Sequence, residues 1–162
     1  MNPEMYNYAI LKKHIAQTIE KAKGVVDDKY IAPVKLGFEK LEEVINMMQA
    51  QMKEGKYMAL VLNATPLQQA FFPLVLSWLH LWSLTITMPK MKAILGEAKG
   101  EERKKIISEN NEAAYYSGRA LSSQFFIGSE YPKYFGRIEC IMTNESAAIK
   151  AVPDNFTGAL KE

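Results

Sequence analysis

Cysteine is nearly absent: Cys140 is the single one in 162 residues, so no disulfide can form within the chain. That fits a reducing compartment rather than a secreted, disulfide-stapled fold. With Ile138 and Ile141 as neighbours, Cys140 reads as a small buried hydrophobe, and no histidine lies near it in sequence to make a nucleophile. Arginine is scarce, three residues against 17 lysines, and there are two histidines. Leu11 stands three residues before His14 and Ser77 three before His80, so neither histidine belongs to the Glu-x-x-His pair of a di-iron bundle. The chain also lacks Gly-x-Gly-x-x-Gly, the Gly-Lys-Ser/Thr phosphate loop, the Gly-x-Ser-x-Gly elbow and Cys-x-x-Cys. The opening Asn2-Pro3-Glu4 carries no basic-then-apolar export signal, and a cytoplasmic location is expected.

Charge of either sign is missing from Tyr57 to Pro89, 33 residues that hold both tryptophans. Such a run passes the length test for a membrane span, which takes about 20 apolar residues. It is not uniformly apolar: Asn63, Gln68, Gln69, Ser77, His80 and Thr87 interrupt it, with prolines at 66, 73 and 89. No lopsided Lys/Arg loop flanks it to signal an orientation. The other predicted helices are amphipathic and supply apolar stripes to cover it. The expectation is therefore an all-round buried core helix of a soluble bundle, with a membrane-associated segment over residues 67–88 as the competing reading.

Elsewhere both signs of charge are interspersed, with a net charge of +2 and 48% hydrophobic residues. This describes one globular domain over residues 1–162, with a solvated surface and no nucleic-acid patch. The basic triplet Arg103-Lys104-Lys105 follows Glu101-Glu102 and reads as a solvated helix start.

Apolar spacing predicts a first helix over 4–23, with Met5, Tyr8, Leu11, Ile15, Ile19 and Ala22 on one face and Gly24 as its stop. A link over 25–31 leads to a second helix over 32–53, striped by Val34, Phe38, Leu41, Ile45, Met48 and Met52. Pro33 is placed in its first turn, and Gly37 weakens it slightly. Thr65 as N-cap and Pro66 at the first position start a third helix bent at Pro73 and either kinked or ended at Pro89, with Gly96 the latest stop; if it reaches residue 95 it is about 45 Å long. Residues 56–64 are either a short turn or a continuation into it. A polar, Gly-flanked turn at 96–100 precedes the fourth and longest helix, 102–143, where Gly128 and Pro132 predict a kink or a split. Small residues between Ala113 and Ser123 let another helix approach closely. Phe156 is expected to pin the tail onto the bundle. The fold class is all-α: an antiparallel four-helix up-down-up-down bundle with long, proline-kinked third and fourth helices.

Six residues stand out as interface or ligand-lining candidates: Phe71, Trp78, His80, Trp82, Tyr116 and Arg119. His80 reads as a core histidine hydrogen-bonded across the bundle. Arg119, alone in an uncharged stretch from Ala113 to Gly128, reads as one half of an ion pair with a carboxylate of another helix. Phe71, Trp78, Trp82 and Tyr116 would line an apolar pocket if the bundle holds a ligand. No residue is assigned a catalytic or metal-binding role.

Three stretches carry a family resemblance. Asn63-Ala64-Thr65-Pro66-Leu67 enters an aromatic-rich helix containing Ser77-Trp78. Ala114-Tyr115-Tyr116-Ser117-Gly118-Arg119-Ala120 leads through Gln124-Phe125-Phe126 to Tyr131-Pro132. Ile149-Lys150-Ala151-Val152-Pro153-Asp154-Asn155-Phe156 closes the chain. In this order they resemble the extra helical domain at the C-terminus of some bacterial acyl-CoA dehydrogenases. The resemblance covers most of the chain and rests on packing residues rather than on chemistry. It implies an accessory or oligomerisation role in fatty-acid metabolism, as a homodimer or beside an acyl-CoA dehydrogenase large subunit. The FAD of the parent family is expected to bind elsewhere. This sequence lacks the parent enzymes' glutamate base, their Gln-x-x-Gly-Gly-x-Gly-Tyr-type segment and the domains that enclose flavin and acyl-CoA. The chain is expected to be either a separately encoded piece of such an enzyme or a fragment; Met1 and the polar Lys161-Glu162 end fit a complete small protein. A bundle that binds an apolar acyl-type ligand between its helices is the alternative.

Overall fold

A computed structural model describes residues 6–157, and the expected helix start at residues 4 and 5, with Met5 on its stripe, lies outside them. Among the described residues every regular element is helical. Helix α1 (Tyr6–Ala22) stops at Gly24, whose φ of +71° is the left-handed region that glycine enters freely. Helix α2 (Asp28–Lys53) begins four residues earlier than its apolar stripe suggests, because the Asp27 carboxylate accepts from the Lys29 amide at 3.0 Å and caps the new N-terminus. Pro33 consequently sits beyond the first turn.

The largest departure from the sequence pattern is α3 (Tyr57–Leu95), 39 residues long. It starts after Gly55, so Thr65 is not an N-cap and Pro66 is not a first position; Pro66, Pro73 and Pro89 all lie inside it. The buried amide of Asn63 donates to the Ala59 carbonyl at 3.1 Å, one turn back, and ties the entry segment into the same helix. At 1.5 Å per residue α3 runs about 58 Å and is the spine on which the other elements pack.

The expected single helix over 102–143 is divided. Helix α4 (Gly100–Glu109) is short and solvated. The chain then breaks at Asn110, whose side chain accepts from the Ala113 amide at 3.0 Å and caps helix α5 (Asn111–Phe125). A π-helical turn (Phe126–Glu130) follows, closed by Tyr131 N–H donating to Phe126 O at 2.8 Å, and helix α6 (Lys133–Thr143) begins just after Pro132. The wider turn accommodates the N–H that Pro132 lacks and keeps Ile127 and Tyr131 on the core side. A 3₁₀ turn (Ala147–Lys150) and the one-turn helix α7 (Asp154–Thr157) complete the chain.

Helix α3 packs against α1, α2, α5 and α6, while α2 lies against α6 and the π turn. The core is the seam Ala70, Leu74, Leu81 and Leu84 of α3, met by Val34, Leu41 and Val44 of α2 and by Ile127, Tyr131, Tyr134 and Ile141. These spacings of three and four are the contact rows of packed helices. The stripe of α5 toward α3 consists of Ala113, Ser117, Ala120 and Ser123, all buried, which lets the two backbones come close. Ala114, Gly118 and Ser122 face outward instead.

Three side-chain expectations fail for one reason, the angle at which a residue leaves its helix. Cys140 is exposed, since the inward row of α6 is Tyr134, Ile138 and Ile141. Met52 lies 48% exposed, outside the inward row of α2. Phe156 is 76% exposed and does not pin the tail.

Candidate functional site

Helix α3 is not buried all round. Opposite its core seam a second apolar row faces outward: Phe72, Leu76, Leu79, Trp82 and Ile86, each 39–60% exposed. In its most apolar 18-residue window only 28% of residues are buried inside the protein, and by length and composition the helix could cross a membrane. The expectation of a fully shielded spine is overturned here. A helix with two apolar faces can satisfy only one of them against α2 and α6.

Two open grooves flank this outward row, and Leu79 and Trp82 form the ridge between them. The groove toward α1, about 360 Å³, is walled by His14, Gln17, Lys21 and Trp78. Trp78 crosses to α1 and donates its indole N–H to Thr18 Oγ1 at 2.8 Å, while that hydroxyl donates to the His14 carbonyl at 3.0 Å. The groove toward α5, also about 360 Å³, is walled by Ile86, Thr87, Tyr115, Tyr116 and Arg119. The Tyr115 and Tyr116 rings meet edge to face at 5.4 Å, and the Lys90 ammonium stands 5.8 Å from the Tyr116 ring centre.

Of the six residues singled out from sequence, Trp82, Tyr116 and Arg119 come together in the α3/α5 groove, and Trp78 and Trp82 in the α1/α3 groove. Phe71 lines neither. His80 is hydrogen-bonded across the bundle as expected, its Nδ1 lying 3.1 Å from Ser123 Oγ, and its ring stacks on Phe126 at 4.5 Å. Burial, with the nearby Arg119 charge adding to it, holds its pKa below the usual histidine value. Among the described residues Arg119 makes no ion pair, so the expected carboxylate partner on another helix is absent. It is exposed at the groove rim, because the inward angle of α5 belongs to its small residues.

Sequence reasoning missed Leu79, Ile86 and the α1 wall. A signal was there: Phe72, Leu76, Leu79 and Ile86 repeat a four-three spacing parallel to the core seam. Among the described residues no group of three or more His, Cys, Asp or Glu side chains could hold a metal ion. An exposed apolar row of this kind is suited to holding another surface.

A family profile described as acetyl-CoA dehydrogenase C-terminal-like matches residues 11–151, well over half of the chain. No curated protein and no solved structure matches it.

Proposed function

Because the chain belongs to the acetyl-CoA dehydrogenase C-terminal-like family, we propose that it works as a non-catalytic helical accessory domain of an acyl-CoA dehydrogenase-type flavoenzyme. It associates with a large subunit of that type, or pairs with itself, in the cytoplasm and off the membrane. Residues 1–162 act as one domain whose long helices form an antiparallel up-down-up-down bundle, with α3 bent at its prolines. The observation that carries the role is the uncovered apolar row of α3, since contiguous exposed apolar patches of this kind mark interaction surfaces.

FAD chemistry in this reading belongs to the partner. The grooves of this chain hold about 240–460 Å³ each and lie open along their length, whereas sites for such ligands enclose most of the ligand surface. These grooves are too open to enclose a flavin.

Co-expression with an acyl-CoA dehydrogenase core is the direct experiment. The two should co-elute, and the chain purified alone should be colourless and run larger than its 18.3 kDa. A strictly monomeric chain that oxidises acyl-CoA unaided overturns the proposal.

The grooves favour one second reading. An acyl chain could lie along Trp82 and Tyr116 beside the Arg119 cation. Native mass spectrometry showing a bound acyl species would support this second reading over the first.

A further inference from the structure

The outward row of α3 has the form of a helix-docking seam. From Phe72 to Ile86 it spans about 21 Å, four turns, with apolar positions at steps of four and three. A groove runs along each side, so the Leu79–Trp82 ridge offers knobs and the grooves offer holes. Not one charged residue interrupts the seam, since the whole stretch from Tyr57 to Pro89 has none.

Among the described residues the full charges in the groove walls are cationic: Lys21 toward α1 and Arg119 toward α5. Lys90 stands beside Tyr116. None of the three makes an ion pair among the described residues. At the wall of the α3/α5 groove Thr87 is 4% exposed, and its hydroxyl has no hydrogen-bond partner. This chain by itself therefore leaves both the rim charges and a polar atom of the groove unanswered.

The geometry points to this seam as the docking site for an amphipathic helix of a partner protein, with an apolar four-three stripe flanked by carboxylates. The rim chemistry selects this occupant. A second copy would bring Lys21 and Arg119 against the same cations, and like charges across an interface disfavour it. A small ligand would be left mostly in water in grooves this open. Helix-in-groove recognition with i, i+3, i+4 and i+7 anchors uses all the features present.

The inference rests on the accessory-domain reading for the partner's identity, and the experiment separates the two. The probe is a synthetic helical peptide with leucines at four-three spacing and glutamates on both flanks, compared with a twin carrying lysines there. Binding to the full chain is followed by anisotropy and by tryptophan emission. The glutamate peptide should bind at least tenfold tighter than its twin. Leu79→Asp and Ile86→Asp, both at exposed positions, should each abolish binding without changing the helical circular dichroism. Arg119→Glu should cut the preference for glutamate flanks at least threefold.

Equal affinity for the two peptides, or none for either, overturns the proposal. So does dimerisation that Leu79→Asp abolishes, which would assign the seam to a second copy. Flotation with phosphatidylcholine–phosphatidylglycerol vesicles that Leu79→Asp abolishes would assign it to lipid and overturn the proposal likewise. If the dehydrogenase core co-elutes equally well with the Leu79→Asp chain, the seam assignment falls and the accessory role stands. If the core never binds but the peptide preference holds, the accessory role falls and the seam stands.

Discussion

The Tyr134 hydroxyl donates a hydrogen bond to the backbone carbonyl of Gly37, 2.8 Å away and 97 residues earlier in the chain. Beside it the Tyr131 ring, stacked on Tyr134 at 5.3 Å, fills the space over the same glycine. A Cβ built on Gly37 would stand 1.6 Å from the Tyr131 oxygen and 3.0 Å from Leu74 Cδ1. Gly37 is thus where α2, α3 and the π turn converge. Both phenols have their pKa pushed well above the usual value, chiefly by burial. They stay neutral through the physiological range.

Gly37→Ala should therefore destabilise the fold by at least the ~1–3 kcal/mol typical of overpacking, despite the better helix propensity of alanine. The Tyr131 hydroxyl is buried and makes no hydrogen bond of ordinary geometry, Ser77 Oγ beside it donating to Leu74 O at 2.7 Å. Tyr131→Phe should cost little for that reason. The double variant should recover part of the Gly37→Ala loss. Urea unfolding of the four proteins measures the coupling, and additive losses would refute the close approach.

The two faces of α3 should respond differently to substitution. Leu81 is fully buried, and Leu81→Ala should cost about 2–5 kcal/mol through lost burial and a cavity. Leu79→Ala, two residues away and 39% exposed, should cost much less, nearer the ~0.5 kcal/mol of a surface change. Similar losses at both sites would mean that the outward row is covered in the isolated chain. Thermal and urea unfolding at two protein concentrations would make the comparison.

Trp78 and Thr18 tie α3 to α1. Thr18→Val removes the hydroxyl that accepts the indole N–H, and a loss of about 1 kcal/mol is expected, with a shift in tryptophan emission. Trp78→Phe should remove the same bond, so the double variant should lose less than the sum of the single ones. Strict additivity would show that the bond contributes nothing.

His80 should titrate below its ordinary value of 6.5 in the folded protein. Burial and Arg119 both disfavour its protonated form, so the folded pKa lies under the unfolded one. The sign follows: its contribution to stability is complete above pH ~6.5 and is lost as pH falls through the folded pKa. His80→Gln should flatten that acid-side slope, and Arg119→Gln should raise the histidine pKa. NMR of the imidazole protons reads both effects, and an unchanged pKa on removing Arg119 would refute the charge coupling.

Helix content and the main helix stops were legible because they are local. Gly24, Gly55 and Gly96 end α1, α2 and α3 where the apolar spacing stops, each with positive φ. Helix starts were less legible. Thr65-Pro66 has the chemistry of an N-terminus but lies inside α3, whereas the real starts at Asp28 and Asn111 follow side-chain caps at Asp27 and Asn110 that the apolar pattern does not mark.

The sequence by itself determined that the chain is helical, that its central run is its most apolar element, and that it resembles one family. Only the tertiary structure decided which side of that run is inside. Both sides of α3 are apolar, so periodicity along one helix cannot choose between them; the choice is made by α2 and α6, which cover one row and leave Leu79 and Trp82 standing outside.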